Sequence, residues 1–356
     1  MAYTTINKST DYFNTKLYTG NGNTDHAQTG VGFQPDWTWI KDRSAAESHF
    51  VFDAVRGHSK YIFPNGNNAE GTDATGILKS FDSDGFTLGT QTNVNQSGHT
   101  NVAWNWKAAG ASGSGTTAGS GTSKAYSYIV NTTAGFSITK FVGNGTSGHK
   151  IPHSLGATPK MFVVKNRSRG TTDWQVYSPV GDPTDALALN QSDGTGDSES
   201  YWSDEAPDAT YIVVGGGGAV NYNGDDLVCY AWKEVPGYSK FGSYTGNGNT
   251  NGSFIYLGFK PAFFMIKRTD GSGDKWRMWD NKRSPFNLVD DSLACNETSA
   301  EYDDASVSLD FLSNGVQMKM SGGGAGNGSG ESYIYIAFAE EPLVANVGAG
   351  IPATAR

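Results

Sequence analysis

Apolar residues along this chain fall into two recurring strand patterns, and no stretch sustains a helical period. In the first pattern, Trp37, Trp39 and Ile40 stand where a later stretch has Met161, Val163 and Val164, and a third has Phe263, Met265 and Ile266. Both faces of such a strand are largely hydrophobic, which predicts a central strand covered on both sides. In the second pattern, Val102, Trp104 and Trp106 alternate with Ala103 and Asn105; Val228, Tyr230 and Trp232 alternate with Cys229 and Ala231; Ile334, Ile336 and Phe338 close the set. A period of two with one heavy face predicts a strand that buries its bulky side in its own unit's core, with Trp106, Trp232 and Phe338 as pillars of those cores.

The two patterns belong to one repeated unit. Gly-Asn-Gly steps begin at Gly20, Gly143 and Gly246, and each leads to a proline, Pro35, Pro159 or Pro261. Six residues after each proline comes a lysine (Lys41, Lys165, Lys267), and nine residues further an aromatic (Phe50, Trp174, Trp276). Each unit closes on an Asn-x-x-Gly step at Asn95, Asn221 or Asn327, eight residues before Trp106, Trp232 or Phe338 when counted from its glycine. Constant spacing over five anchors is a repeat signal, and a period near a hundred residues is the size of a β-sandwich, not a solenoid rung. Proline suits a strand entry, and Asn-Gly suits turns that need positive φ. The fold class predicted is therefore all-β, three tandem antiparallel β-sandwiches of jelly-roll or concanavalin-like type. The expected domains are 1–107, 126–235 and 236–342, with a flexible Gly/Ser-rich linker at 108–125 and a tail at 343–356. The short "EVPGYSK" joint implies that the second and third units are held closely while the first swings more freely.

Composition sharpens this picture. Glycine reaches 47 residues, aromatics 12% and charged residues only 17%, which fits short strands joined by tight turns. A net charge of −9 without a basic run argues against nucleic-acid binding. No stretch of 18 apolar residues and no signal peptide are present, so membrane insertion is not expected. Cys229 and Cys295 lack CxxC partners and read as small buried hydrophobes, a disulfide between them being the minority reading.

The motifs "YTGNGNT", "VGFQPDWTWIKDRS", "SFDSDGFTLGT", "NQSGHTNVAWNWKA", "GYSKFGSYTGNGNTNG" and "YIYIAFAEEP" resemble, over nearly the whole chain, a repeated domain found in predicted tail-fibre and other virion surface proteins of tailed phages, especially marine and cyanobacterial ones. "FDSDGFTLG…VAWNWK" is also similar to the closing strands of concanavalin-like and SPRY-type sandwiches. The resemblance implies a virion surface protein and brings no catalytic residues with it. The second unit departs from the pattern, having only "DATYIVVGG" where "SFDSDGFTLG" stands in the first.

Candidate chemistry is sparse. "GNGTSG" at Gly143 matches G-x-G-x-x-G but precedes no helix, so a dinucleotide turn is not expected. "DSDG" from Asp82 reads as a turn, since the twelfth position of a calcium loop would be Asn93; Asp-rich loops still supply oxygens that one Ca²⁺ could use, but no metal ligand set or cofactor is assigned. No histidine lies beyond His153, so none recurs in all three units, and no acid/base carboxylate pair stands out. The recurring lysines read as solvated strand ends or edge guards, with acidic-glycan binding as the sharper alternative. Recognition is best sought where the units differ: Tyr201, Trp202, Asp204 and Tyr222 combine aromatic platforms with polar groups suited to a sugar. Trp279, Lys282 and Arg283 make a weaker case of the same kind.

These readings lead to a non-enzymatic phage virion surface protein, tail-fibre-like or receptor-binding. It would be made in the host cytoplasm, contact other virion proteins and host-surface glycan, and form a homo-oligomer with a trimer favoured. A head-decorating or cement protein is the structural alternative, and a glycan-degrading enzyme the chemical one.

Overall fold

The structure is a computed structural model that describes residues 4–178, 180, 182–322 and 326–342. It is nearly all β, built from several antiparallel sheets with only single-turn helices between them. The tail expected at 343–356 lies outside the described residues. No helix among the described residues is long and apolar enough to cross a membrane.

One strand order recurs three times. In the first unit, Thr100–Trp106 lies between Phe13–Thr19 and Trp37–Asp42, and Phe50–Asp53 pairs on the outside of the latter. In the second unit, Asp226–Trp232 lies between Phe136–Val142 and Met161–Asn166, followed by Gln175–Tyr177. In the third, Ser332–Pro342 lies between Ser239–Thr245 and Phe259–Arg268, followed by Arg277–Asp280. A smaller sheet of three strands accompanies each: His26–Thr29, Gly85–Leu88 and Leu78–Asp82 in the first, and Phe254–Tyr256, Gly315–Met318 and Leu309–Leu312 in the third. In the second unit the small sheet contains Ala118–Gly119, His149–Pro152 and Tyr211–Val214, so the missing hairpin arm is replaced on the opposite edge.

That replacement corrects the linker expected at 108–125. Ala111–Thr116 pairs along Ala125–Asn131, which in turn extends the large sheet beyond Phe136–Val142, and Ala118–Gly119 pairs with His149 and Lys150. Its glycines are packing residues. A Cβ on Gly113 would stand 2.9 Å from the Tyr128 ring, and one on Gly115 would stand 3.0 Å from the Tyr126 ring. Bare backbone lets the two tyrosines lie across the neighbouring strand, as aromatic side chains do over glycine in sheets.

The heavy faces of the closing strands turn away from each unit's own two sheets. The light faces fill the unit interiors: Ile40, Phe52, Phe86 and Ala103 in the first, Phe162, Trp202, Ile212 and Ala231 in the second, Phe264, Phe311, Val316 and Ala337 in the third. The heavy faces of all three units meet in one cluster that holds Trp37, Trp39, Trp104, Trp106, Met161, Val163, Trp174, Tyr230, Trp232, Phe263, Met265, Trp276, Ile336 and Phe338. Trp106, Trp232 and Phe338 are buried at 2%, 6% and 2% exposure, as pillars of this shared core. Trp37 of the first unit lies 5.3 Å from Tyr230 and 5.7 Å from Trp232 of the second, while Trp106 lies 5.8 Å from Phe263 and 5.4 Å from Phe338 of the third. These offset and edge-on ring contacts are the geometry aromatic pairs prefer. The cluster encloses an apolar cavity of about 30 Å³.

Candidate functional site

The Gly-Asn-Gly steps are scaffold. A Cβ on Gly20, Gly143 or Gly246 would meet a backbone oxygen at 2.1, 2.2 and 2.2 Å, and Gly22, Gly145 and Gly248 have φ of +70°, +73° and +67°. The buried Asn of each Asn-x-x-Gly step clamps the loop. Its Oδ1 accepts the amide of Asn21, Asn144 or Asn247 (3.0, 2.9 and 3.1 Å), and its Nδ2 donates to Asn23, Thr146 or Asn249 carbonyls (each 2.9 Å). A buried amide with all its partners in place fixes one loop shape.

The recurring lysines are neither solvated nor free to bind glycan: Lys41, Lys165 and Lys267 are completely buried. Lys165 Nζ donates to the carbonyl of Asn67 in the first unit (3.2 Å) and Lys267 Nζ to that of Ser192 in the second (2.9 Å), whereas Lys41 stays within its own loop, on Asp42 and Ala45 carbonyls (2.6 and 2.9 Å). Burial lowers the pKa of each to about 8, against the opposing pull of nearby carboxylates.

Lys165 and Lys267 belong to joints that run around the molecule in one direction. Trp174 Nε1 of the second unit donates to Phe63 O of the first (2.9 Å), and Trp276 Nε1 of the third donates to Ala188 O of the second (3.0 Å). The matching residue of the first unit is His49, not Phe50, because strand register places Phe50, Gln175 and Arg277 at equivalent points. His49 accepts Trp39 Nε1 at Nδ1 (2.9 Å), which leaves Nε2 to donate to Ala294 O of the third unit (3.2 Å). Burial holds the His49 pKa well below its usual value, so the ring is neutral. Backbone bonds repeat the cycle: Glu70 N to Arg167 O, Thr195 N to Thr269 O and Glu301 N to Arg43 O (2.9, 2.9 and 3.0 Å). The first unit is therefore fixed to both others, contrary to the mobility inferred from its longer connection.

Among the described residues, two of the three joints carry a buried network of ion pairs. Between first and second units, Asp53 binds Arg56 and accepts the Tyr230 hydroxyl (2.6 Å), while Glu70 lies between Arg56 and Arg167 (3.2 and 2.9 Å). Between third and first, Asp280 binds Arg283 (2.5 Å) and accepts Trp104 Nε1 (3.0 Å), while Glu301 lies between Arg283 and Arg43 (2.9 and 2.5 Å). Arg283, offered by sequence as a surface contact, is thus an internal joint residue, and Trp279 is fully buried.

The four residues expected to hold a sugar do not form a platform. Ser198 caps the single turn Glu199–Trp202, which turns the Trp202 indole inward. There it is fully buried, 4.8 Å edge-on to Phe162, with Nε1 on Asp185 O (3.2 Å). Trp202 is withdrawn as a stacking surface, because no ring face reaches solvent. Tyr201 is half-buried beside it, and Asp204 is exposed with φ +52°. Tyr222 is 46% exposed, but Arg169, paired with Asp225, sits 3.4 Å over its ring. "DSDG" is a hairpin turn whose Asp84 accepts Gly30 and Gly32 amides (2.9 and 2.6 Å), and among the described residues no group of three His, Cys, Asp or Glu could hold a metal ion. Cys229 and Cys295 are free, buried thiols in different clusters.

The open concavity lies elsewhere, at the outer rim of the first joint. A groove of about 490 Å³ runs between Arg56, Lys60 and Glu70 of the first unit and Lys140, Arg167 and Asp226 of the second. Its floor is the Glu70–Arg167 pair; its far wall is the large sheet as extended by Ala125–Asn131. Sequence reasoning missed it because Lys140 lies within "SITKFV", an ordinary alternating strand, and the groove exists only once two units meet. The repeated "KDRS" and "KNRS" were the available signal, since they carry Arg43 and Arg167.

A family model, the domain of unknown function DUF7483, matches residues 8–342, and the chain belongs to that family. No curated protein and no solved structure matches the chain.

Proposed function

We propose that this chain is a non-enzymatic structural and binding protein of a phage virion surface, tail-fibre-like, that contacts glycan on the host cell. The observation that carries the reading is the closed set of joints around one shared aromatic core, which makes three sandwich-like units a single rigid body. Such a body displays three sets of loops at fixed spacing, an arrangement suited to weak contacts made together. Association with other virion proteins and any homo-oligomer then uses outer surfaces, because the shared core is filled by one chain. The sequence resemblance to virion surface repeats supports the setting. The test is gold-labelled antibody against the purified chain, applied to particles of a tailed phage that encodes it. Label on the tail is the expected result, label over the capsid indicates a head-decorating protein, and particles without label overturn the reading.

A further inference from the structure

We propose that the groove between the first and second units binds acidic saccharide, through carboxylate or sulfate groups on the sugar; this deepens the glycan reading above. Its volume, about 490 Å³, falls in the range of small-molecule sites and suits a short stretch of polysaccharide. Four of the charged residues along it are cations, Arg56, Lys60, Lys140 and Arg167, against two carboxylates, Glu70 and Asp226, in a chain whose net charge is −9. A local excess of positive charge on an acidic protein is a focused attraction for anions.

The cations differ in how far they are already engaged. Arg56 is held by Asp53 and Glu70, and Arg167 by both Glu70 oxygens, with Asp226 a looser 3.7 Å away. Among the described residues the Lys60 amine reaches only the Thr72 hydroxyl (2.6 Å). The Lys140 side-chain amine has no hydrogen-bond or ion-pair partner among the described residues, and the residue is half-buried in the wall. Arg167 Nε is likewise a buried donor without a protein partner. Lys140 and Lys60 on opposite walls are thus available to an anion, above a floor held by the Arg56–Glu70–Arg167 ion pairs. Fixed walls limit the ordering cost of binding. The excess charge is modest and confined to a groove, without a stripe to follow a phosphate backbone, so a sugar acid fits better than a nucleic acid.

The test is binding of the full chain to immobilised polygalacturonate, heparin, neutral dextran and single-stranded DNA, at low and moderate salt. We expect salt-sensitive retention on polygalacturonate or heparin and none on dextran. Lys140→Glu weakens it by about tenfold or more, the equivalent of one charged contact, and Lys140→Gln weakens it less. Lys160→Glu, the same charge change at an exposed position at the far end of the Met161–Asn166 strand from Arg167, leaves binding within about twofold. Circular dichroism melts of each variant confirm folding. Equal retention on dextran, retention on no polymer, tighter binding to DNA, or indifference to Lys140→Glu would each overturn the groove assignment. Particle labelling is independent of all these outcomes, so a labelled tail with no polyanion binding removes the groove and leaves the setting standing.

Discussion

The joints between units solve one geometric problem in two chemical ways. Where the first two joints place Asp53 or Asp280, the joint between second and third units has Ser178, by strand register. Glu70 and Glu301 correspond to Thr195, and Arg167 and Arg43 to Thr269, by the shared backbone bond. Tyr230 and Trp104, which donate to the two aspartates, correspond to Ile336. Among the described residues these partners of the ion network are replaced together, and the remaining crevice is lined by Val176, Leu187, Thr195, Thr269 and Ile334 with the single carboxylate Asp185. A buried network removed whole can be close to neutral, whereas removing one partner strands a charge. The backbone bonds and a ring N–H bond to a carbonyl, from Trp174, Trp276 or His49, survive at all three joints, so they define the shared geometry, to which two joints add an ion network.

The comparison is broken most severely at its shared element. Trp106→Ala should cost about 3–5 kcal/mol in chemical denaturation, the loss expected for a buried tryptophan. A loss below 1 kcal/mol would mean that the units do not lean on this core. Arg283→Ala should cost a similar amount, about 3–5 kcal/mol, because Asp280 is left buried without its cation, while Thr269→Ala, at the joint without an ion network, costs under about 1 kcal/mol. Equal effects at the two joints would erase the distinction drawn between them.

A milder test uses pH. The folded-state pKa of about 8 for Lys41, Lys165 and Lys267 lies below the unfolded value of 10.5. Between these values the unfolded chain binds more protons, so stability gains as pH rises through 8 and the burial penalty at neutral pH is relieved. From pH 7 to 9 the gain is about 1 kcal/mol per lysine. It should be read as a higher urea midpoint at pH 9 and should shrink in Lys165→Met. A midpoint that falls over this range with no difference in the variant would contradict the buried-lysine geometry. The smallest effect is expected for Tyr222→Ala, within about 0.5 kcal/mol, as the ring is half in solvent.

Local chemistry was legible in the sequence and assembly was not. Gly20, Gly22 and Asn95 are dictated by positive φ, close backbone approach and amide satisfaction within one loop, so their repetition marks them directly. The period-two faces of Trp104 and Trp106 were equally plain, but nothing in that period says whether a heavy face meets its own second sheet or a neighbouring unit. Here it meets the neighbour, and the light face packs inside its own unit. Lys41, Lys165 and Lys267 were misread for the same reason, since a strand-end lysine is ordinarily solvated unless another chain segment closes over it. The shift from Phe50 to His49 arises because the first unit's loop is one residue shorter, a change that sequence spacing masks when the next residue is also aromatic. Trp202 misled through its polar neighbours, because a one-turn helix capped by Ser198 can bury one side chain while exposing the rest.

The central claim is that three repeats form one cooperative body around a shared aromatic core. Differential scanning calorimetry of the whole chain tests it most directly, through the ratio of calorimetric to van't Hoff enthalpy. A single transition with the two enthalpies equal, moved as a whole by Arg283→Ala, is the predicted result. Two or three resolved transitions, with the first unit melting apart from the others, would contradict it.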